Sequence, residues 1–152
     1  MKTIAQNKKA FHDYEILDKF EAGIALVGSE VKSIRAGRIS LKDAFVEIHD
    51  NEAFLLRCHI SPYLQANIFN HEPERKRKLL LHGREIHRLD QKVKARGFSI
   101  VPLQVFLTDK GLVKIEIALV RGKREYEKKQ KLKERDIQRE MDRDVQRFRS
   151  KK

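Results

Sequence analysis

Alternating apolar and polar residues predict several β-strands in the first 120 positions. Residues 14–26 fit an extended segment interrupted at Glu21-Ala22-Gly23, where Gly23 suggests a bulge or a sharp bend. Residues 44–49 and 53–60 alternate in the same way, and Asp50-Asn51 between them suits a hairpin turn. Residues 99–107 and 112–120 repeat the pattern around a turn at 109–111. We therefore predict a fold built mainly from strands joined by tight turns.

Two segments show the helical spacing of three to four residues. Residues 28–37 fit a short helix with Ser29 as N-cap, Glu30 at its positive end and Gly37 at its C-cap. Residues 82–96 fit a second helix, which Gly97 ends. Residues 7–12 read as a short basic lead-in. The order β, α, ββ, α, ββ predicts a mainly β fold with flanking helices, a small barrel or sandwich over residues 1–121.

Residues 122–152 differ from the rest and predict a basic C-terminal tail. They hold 13 Lys plus Arg and 7 Asp plus Glu, with no Gly or Pro after Gly122. One narrow apolar stripe recurs at helical spacing, formed by Ile137, Met141, Val145 and Phe148. This stripe is too small to hold a lone helix, so we expect a tail that is disordered or frayed when free and helical when bound. The alternative is a terminal helix that docks on the barrel.

The charge balance points to a polyanionic partner. The chain has 34 Lys plus Arg against 22 Asp plus Glu, a net charge of +12, which favours RNA or DNA. No apolar run is long enough to span a membrane, and the N-terminus lacks the apolar core of a secretion signal. The single cysteine, Cys58, excludes an intramolecular disulfide and fits the cytoplasm.

The most basic stretch runs over residues 70–82. Arg75, Lys76, Arg77 and Lys78 are followed directly by Leu79, Leu80 and Leu81. Four adjacent cations repel one another, and we do not expect one partner inside the fold to serve them all. They suit a surface that meets phosphates, although a solvated loop before a helix remains an equal alternative.

The patterns of enzymes and metal sites are missing from the sequence. Ser29-Glu30-Val31-Lys32 matches the short S-x-x-K pattern of penicillin-binding enzymes, but neither of their companion motifs occurs. There is no H-E-x-x-H motif, no cysteine pair and no glycine-rich phosphate loop. We therefore expect no catalytic residue, no metal, no cofactor and no small-molecule substrate.

Rings and amides beside cations favour RNA over regular DNA. Single-stranded or irregular RNA is bound by stacking rings together with phosphate-binding cations. Three such groupings occur, which are Lys8, Lys9 and His12 with Tyr14; Asn70 and His71 with Arg75; and Arg124 and Lys128 with Tyr126. No helix-turn-helix or zinc-finger pattern is present.

A series of short motifs, in order along nearly the whole chain, resembles the SsrA-binding protein family (small protein B, SmpB). The motifs are Asn7-Lys8-Lys9-Ala10, His12-Asp13-Tyr14, Glu21-Ala22-Gly23-Ile24, Gly28-Ser29-Glu30-Val31-Lys32-Ser33, Arg35-Ala36-Gly37, His59-Ile60-Ser61-Pro62-Tyr63, Asn70-His71-Glu72-Pro73, Arg77-Lys78-Leu79-Leu80-Leu81-His82, Val101-Pro102-Leu103 and Gly122-Lys123-Arg124. Each motif alone is weak, but together they are highly specific.

The resemblance implies a fold and a function. Members of the family have an OB-like barrel with flanking helices. They bind transfer-messenger RNA (tmRNA) and bring it to ribosomes stalled on messages without a stop codon. The tRNA-like domain of that RNA lacks an anticodon arm, and the protein stands in for it. The implied partners are this domain and the ribosome, at the small-subunit decoding centre and messenger channel.

The resemblance also implies site residues on one face of the barrel. Its matching positions are Asn7, Lys8, Glu21, Gly23 and Leu80. Glu21 has the wrong charge for phosphate, so we expect it to accept hydrogen bonds from base or ribose. With the cationic stretch and the stacking groups, the candidate RNA-binding set is Asn7, Lys8, Lys9, His12, Glu21, Gly23, Lys32, Asn70, His71, Arg75, Arg77, Lys78 and Leu80.

In the resemblance, the tail enters the messenger channel and becomes helical there, with Gly122 as a hinge. The ribosome-binding candidates are Gly122, Lys123, Arg124, Tyr126, Glu127, Lys128 and Lys129. The family usually has Gly-Lys-Lys and then Asp-Lys-Arg; here Arg124 replaces one lysine and Glu127-Lys128-Lys129 replaces the second triplet. Charge signs are kept, but an arginine-specific contact at Lys129 is lost.

The alternative hypothesis is a general single-stranded-RNA-binding barrel of a ribosome-assembly or RNA-chaperone type. It predicts binding that tolerates sequence, tracks strand length and does not need the tail.

Overall fold

The computed structural model describes residues 1–95 and 97–122. Its strands are β1 Lys2–Gln6, β2 Tyr14–Ile24, β3 Ile39–Ser40, β4 Phe45–His49, β5 Glu52–Leu56, β6 His59–Ile60, β7 Arg77–Leu80, β8 Phe98–Leu107 and β9 Val113–Gly122. The α-helices are α1 Lys8–Asp13, α2 Gly28–Arg35 and α3 Gly83–Val93, and a 3₁₀ helix covers Leu64–Phe69. Strands dominate these residues, which confirms the predicted mainly β fold with a few helices. The predicted tail covers residues 122–152, and from residue 123 onwards it lies outside the described residues.

Seven strands form one curved sheet in the order β1-β8-β9-β2-β7-β5-β4, and β3 and β6 form a separate pair. The hydrogen-bonded strand pairs are antiparallel, as seen for β1–β8, β2–β7, β4–β5, β5–β7 and β8–β9. β4 also lies close to β8, which is far from it in the strand order. The sheet therefore curls around a common interior, as expected for a small barrel.

The interior is filled by aliphatic side chains from both halves of the sheet. Leu55, Leu79, Val105 and Ile117 are among its buried members. A second, smaller cluster lies where α1 covers β8 and β9, with Ala10 packed near Leu103 and Val120. Because side chains alternate along a strand, the residues between the buried ones of β2, β7, β5 and β4 face outward. This alternation creates the surface considered below.

The predicted hairpins are confirmed, but one strand is shorter than predicted. Asp50 and Asn51 have φ of 50° and 61°, as a tight turn with both central residues left-handed requires. The strand predicted over residues 53–60 is wrong in its second half: β5 ends at Leu56, and Arg57 takes φ of 56°. This left-handed residue turns the chain before β6 begins.

Three predictions near α2 have different outcomes. The interruption at Glu21–Gly23 is wrong, because β2 runs unbroken from Tyr14 to Ile24. Ser29 is not the N-cap; the helix begins at Gly28, and the Glu30 carboxylate accepts the Val27 N–H at 2.9 Å. Gly37 does end the helix as predicted, with φ of 76°.

The N-terminal lead-in is more ordered than predicted. It contains α1, and β1 precedes it, paired with β8. The 3₁₀ helix was also not predicted. The helix predicted over residues 82–96 is confirmed as α3, with Ile86 and Leu89 buried, and Gly97 follows with φ of 91°.

Among the described residues, no helix combines the length and apolarity needed to cross a bilayer.

Candidate nucleic-acid interface

Glu21, Gly23 and Leu80 line one groove, which we call the β2–β7 groove. Gly23 and Leu80 are cross-strand partners. The groove has a volume of about 520 Å³, and its lining residues are Glu21, Gly23, Leu80, Leu81, His82, Glu85 and Lys114. Leu80 is 56% exposed, which is unusual for a leucine in a strand next to a core. The structure thus brings together three predicted site residues and adds Lys114 as a nearby cation.

Gly23 lies in close contact with the Leu80 side chain on its partner strand. A Cβ atom at this position would lie 3.2 Å from Leu80 Cβ and 3.4 Å from Leu80 Cδ1. The small residue therefore lets the Leu80 side chain lie flat across β2 at the edge of the groove. This is the physical role of the glycine that the sequence suggested as a bend.

The basic stretch divides into inward- and outward-facing side chains, with Arg75 and Lys76 just before β7 and Arg77 and Lys78 on it. Arg77 is fully buried, and Arg75 points towards the same interior carboxylate, whereas Lys76 and Lys78 are exposed. Lys78 lies 3.3 Å from Glu52, and Lys76 lies 4.2 Å from the centre of the Phe54 ring. The two arginines share one partner inside the fold and the two lysines do not, which agrees with the expectation that one partner would not serve all four cations.

Both arginines bind Glu30, and we call these three residues the Glu30 cluster. Arg75 Nη2 donates to Glu30 Oε1 at 2.6 Å, and Arg77 Nε donates to Oε2. Arg77 also donates to the backbone oxygens of Cys58 at 2.8 Å and Pro73 at 3.1 Å. The cluster connects the start of α2 to β7, since Glu30 also accepts the Val27 N–H.

The ionised form of Glu30 is favoured inside the protein. Burial alone would raise the pKa of its carboxyl group, but hydrogen bonds from Arg75, from the Val27 backbone and from Arg77 outweigh burial. The pKa of Glu30 is therefore lower than that of an ordinary glutamate. The carboxylate carries its charge at neutral pH and can balance a buried guanidinium.

Asn7 is buried and its side chain is used inside the fold. Its Nδ2 donates to the carbonyl oxygens of Leu41 at 3.2 Å and Pro102 at 2.9 Å, while Oδ1 accepts the Ala10 N–H at 3.2 Å. Asn7 thus caps α1 and connects it to the barrel. Asn7 therefore uses both amide N–H donors within the fold, and it also lines a groove beside Lys8 and Lys9.

The other predicted residues of the N-terminus are exposed on α1. Lys8 and Lys9 border a groove of about 330 Å³ together with Lys42. Lys9 lies 4.0 Å from Asp43, and His12 Nδ1 lies 2.9 Å from Asp13 Oδ1. This groove shares no lining residue with the β2–β7 groove. The predicted set is therefore divided between two surfaces in the described part of the chain.

Asn70 and His71 hold a loop against α2. The Asn70 amide accepts the Tyr63 N–H at 2.9 Å and donates to the Tyr63 carbonyl at 2.7 Å. His71 Nε2 lies 2.8 Å from the Ile60 carbonyl, so it donates there, and Nδ1 then accepts the Ser29 hydroxyl at 2.8 Å. Lys32 is exposed, with its ammonium 5.4 Å from the centre of the Tyr63 ring. Asn70 and His71 are consequently structural, and Lys32 remains accessible.

Sequence reasoning missed the Glu30 cluster. Glu30 was interpreted only through its place at a helix start, and its arginine partners lie 45 and 47 residues away. The sequence carried no local signal of the cluster, because Glu30 and the arginines are far apart in the chain and only Arg77 and Lys78 of the four cations lie on β7.

The tail candidates Lys123, Arg124, Tyr126, Glu127, Lys128 and Lys129 lie outside the described residues. Gly122 is the last residue of β9. The tail boundary and its roles remain predictions.

A small, strongly basic β-barrel with a groove and cations on its outer face is of the nucleic-acid-binding class. The sequence profile of the family described as "SmpB protein" matches residues 4–147. The chain belongs to this SmpB family, which confirms the resemblance seen in the sequence.

Similar proteins agree with this assignment over most of their length. The SsrA-binding protein of Symbiobacterium thermophilum is 57% identical over 138 residues, which cover 91% of this chain and 87% of the relative. That of Enterococcus hirae is 54% identical over 147 residues, 97% of this chain and 95% of the relative. A chain in the solved structure described as "tmRNA-SmpB: a journey to the center of the bacterial ribosome" is 44% identical, with a TM-score of 0.69; the match covers 81% of this chain and 85% of that one.

Proposed function

We propose that this chain binds transfer-messenger RNA and brings it to stalled ribosomes, where trans-translation releases them. The observation that carries the proposal is the match to SsrA-binding proteins over more than nine tenths of the chain. The partners are the tRNA-like domain of tmRNA and the ribosome, so the protein acts in the cytoplasm. Its role is recognition and delivery, and we assign it no catalytic step.

The β2–β7 groove is the surface we assign to the tRNA-like domain. Leu80 offers an exposed apolar side chain on which an unpaired base can pack. Glu21 can accept hydrogen bonds from base or ribose donors, while Lys78 and Lys114 supply positive charge for phosphates. The groove is large enough for one nucleotide.

The remaining candidates fall into accessible and structural groups. Lys8, Lys9, His12 and Lys32 are exposed and suit phosphate contacts that add affinity without sequence preference. Asn7, Asn70, His71 and Arg77 use their polar groups inside the fold, and Arg75 is bound to Glu30. We assign this second set to positioning, and do not retain it as RNA contacts.

For the tail we propose the ribosomal role that the resemblance implies. Gly122 is the hinge, and Lys123, Arg124, Tyr126, Glu127, Lys128 and Lys129 contact ribosomal RNA in the decoding centre and messenger channel. The +6 net charge of residues 122–152, from 13 basic and 7 acidic residues, suits such a tunnel.

For the alternative of a general single-stranded-RNA barrel, three of the described rings are partly covered, whereas the Phe11 ring is 45% exposed. Such proteins stack bases on free aromatic faces. Here Lys32, Arg57 and Lys76 lie 5.4, 5.8 and 4.2 Å from the ring centres of Tyr63, Phe45 and Phe54. An incoming base would first have to displace these cations.

The experiment is a comparison of RNA affinities at fixed salt. We expect the full chain to bind a tRNA-like tmRNA fragment far better than a duplex RNA of equal length. Leu80→Ala should weaken this binding by about tenfold or more, a loss of roughly 1.4 kcal/mol. Leu64→Ala is the matched control, because Leu64 is 74% exposed on the 3₁₀ helix away from the groove. Equal binding of both RNAs would contradict the proposed function, whereas equal effects of both variants would contradict only the site.

Truncation before Gly122 tests the two roles separately. We expect the truncated protein to bind the tmRNA fragment and to fail in tagging peptides on stalled ribosomes. Loss of both activities would refute the division between barrel and tail.

A further inference from the structure

The segment that forms β7 does not fix its own register by hydrophobic pattern. Residues 75–78 are all cations and residues 79–81 are all leucines. A shift by one residue would move every side chain to the other face of the sheet. If each position took the next residue of the chain, Lys78 would replace Arg77, leucines would replace Leu79 and Leu80, and only the outward Lys78 position would change from a cation to a leucine. The opposite shift would put Lys78 in the position of Leu79, which is 1% exposed, so the apolar pattern already disfavours it. Polarity alone therefore scarcely distinguishes the observed register from the first of these two neighbours.

The difference between arginine and lysine does distinguish the two registers. In the observed register Arg77 is fully buried and Lys78 is exposed; just before β7, Arg75 reaches Glu30 while Lys76 is exposed. Arg77 uses its planar group to donate in three directions, to Glu30, to the Cys58 carbonyl and to the Pro73 carbonyl. A lysine has a single nitrogen on a flexible stem and cannot reproduce this arrangement.

Two of the three acceptors that meet Arg77 belong to elements other than β7. Glu30 is held at the start of α2 by the Val27 N–H, and it is fully buried. The Cys58 carbonyl lies between β5 and β6. A shifted β7 would place a lysine beside these groups and move the Arg77 guanidinium to the outside. Such a change leaves buried acceptors without their partner, which is costly.

We propose that the Glu30–Arg77 pair selects the register of β7 and thereby decides which leucine faces the RNA. In the observed register Leu80 is opposite Gly23 and Lys78 is opposite Phe54. A shift that brings Lys78 to the Arg77 position would place Leu81 opposite Gly23 and turn Leu80 inward. Glu30 and Arg77 are thus positioning residues for the β2–β7 groove. The consequence for RNA rests on the proposed function, whereas the selection of register does not.

The test exchanges the two side chains without changing composition or charge. In the double variant Arg77→Lys/Lys78→Arg, the inward position of the observed register carries lysine, and in the shifted register the same position carries arginine. Cross-strand nuclear Overhauser contacts report the register directly in the absence of RNA. We expect the contacts between residues 23 and 80 and between 54 and 78 to be lost, or joined by a second set shifted by one residue. Binding of the tRNA-like tmRNA fragment should fall by about tenfold or more.

Two single variants complete the design. Lys78→Arg keeps Arg77 in place, so it should retain the observed cross-strand contacts and the affinity for RNA. Arg77→Lys keeps the charge but not the planar group, so we expect it to show both registers. It takes the place of the exchange variant if that variant is too unstable to study. If position 77 of the exchange variant is changed back to arginine and the observed contacts return, register selection is separated from a general loss of stability.

The proposal would be overturned by a folded exchange variant, or a folded Arg77→Lys variant, that shows only the observed contacts. That result would mean that the Glu30–Arg77 pair contributes stability and nothing more. A protein in which neither variant folds would also overturn it, because no second register would then be accessible. Failure of the native chain to prefer tmRNA would reject the proposed function and leave the register result unaffected.

Discussion

Replacing Glu30 with glutamine removes the charge that balances a fully buried guanidinium. Glu30→Gln keeps the shape of the side chain, but its amide NH2 replaces one carboxylate oxygen and faces the donors of one of the two arginines, Arg75 or Arg77. Removing one member of a buried ion pair typically costs about 3–5 kcal/mol, because the other charge remains without compensation. A domain of this size has a total stability of about 5–15 kcal/mol. We therefore expect the variant to fold with a much smaller free energy of unfolding, and its Tm to fall by about 10 °C or more.

Urea unfolding followed by circular dichroism measures this loss. Arg75→Gln is the matched control, because Arg75 binds the same carboxylate but is 36% exposed and partly solvated. Its loss should be about 1 kcal/mol, in the range of surface ion pairs. A loss below about 1 kcal/mol for Glu30→Gln would refute the reasoning, since it would mean that water or a shifted side chain compensates Arg77.

The same cluster makes stability sensitive to acid. The pKa of Glu30 is lowered in the folded protein, so its contribution is complete above the unfolded value of about 4.3. It is lost as the pH falls from there through the folded pKa, because the carboxyl group is then protonated in both states. The free energy of unfolding should fall in this range less steeply for Glu30→Gln than for the native chain. Parallel curves of the unfolding free energy against pH for the two proteins would contradict the assignment of this acid sensitivity to Glu30.

Three further predictions concern single positions. Gly23→Ala places a Cβ 3.2 Å from Leu80 Cβ and should weaken tmRNA binding severalfold while changing stability little; an unchanged affinity would show that Leu80 can shift freely. Asn7→Ala removes three side-chain hydrogen bonds at a buried site and should cost about 1–3 kcal/mol in urea unfolding; lost RNA binding at unchanged stability would instead make Asn7 a contact residue. Burial raises the pKa of the Cys58 thiol to about 12, so it should react with a thiol reagent at pH 8 only after denaturation; rapid reaction in the native state would show that the barrel opens there.

The sequence alone determined the class of fold and the location of most elements. Its strands and helices were visible because one face of each element packs on the core, which imposes a period of 2 or 3.6 on apolar residues. Gly37 and Gly97 were predicted as helix ends because positive φ favours glycine. The β1 strand and α1 were missed, since both are short and carry little periodic apolar sequence.

The candidate site was predicted only in part. Glu21, Gly23 and Leu80 came from the family motifs, and the structure places them around one groove. Asn7, His71 and Arg77 looked equally suited to RNA, but each is buried and bonded within the fold. No local pattern separates an exposed cation from one whose partner lies 47 residues away.

The order of the elements, the positive charge and the family motifs are properties of the chain itself, and they determined that this is a basic β-barrel of the SmpB family. Only the tertiary structure decided which of four adjacent cations faces inward. That choice depends on a carboxylate, two carbonyl groups and the geometry of a guanidinium, which come together only when distant segments pack. The reason is that a buried charge must pair with a specific group that folding brings beside it, whereas the sequence shows only that the charged residue is present.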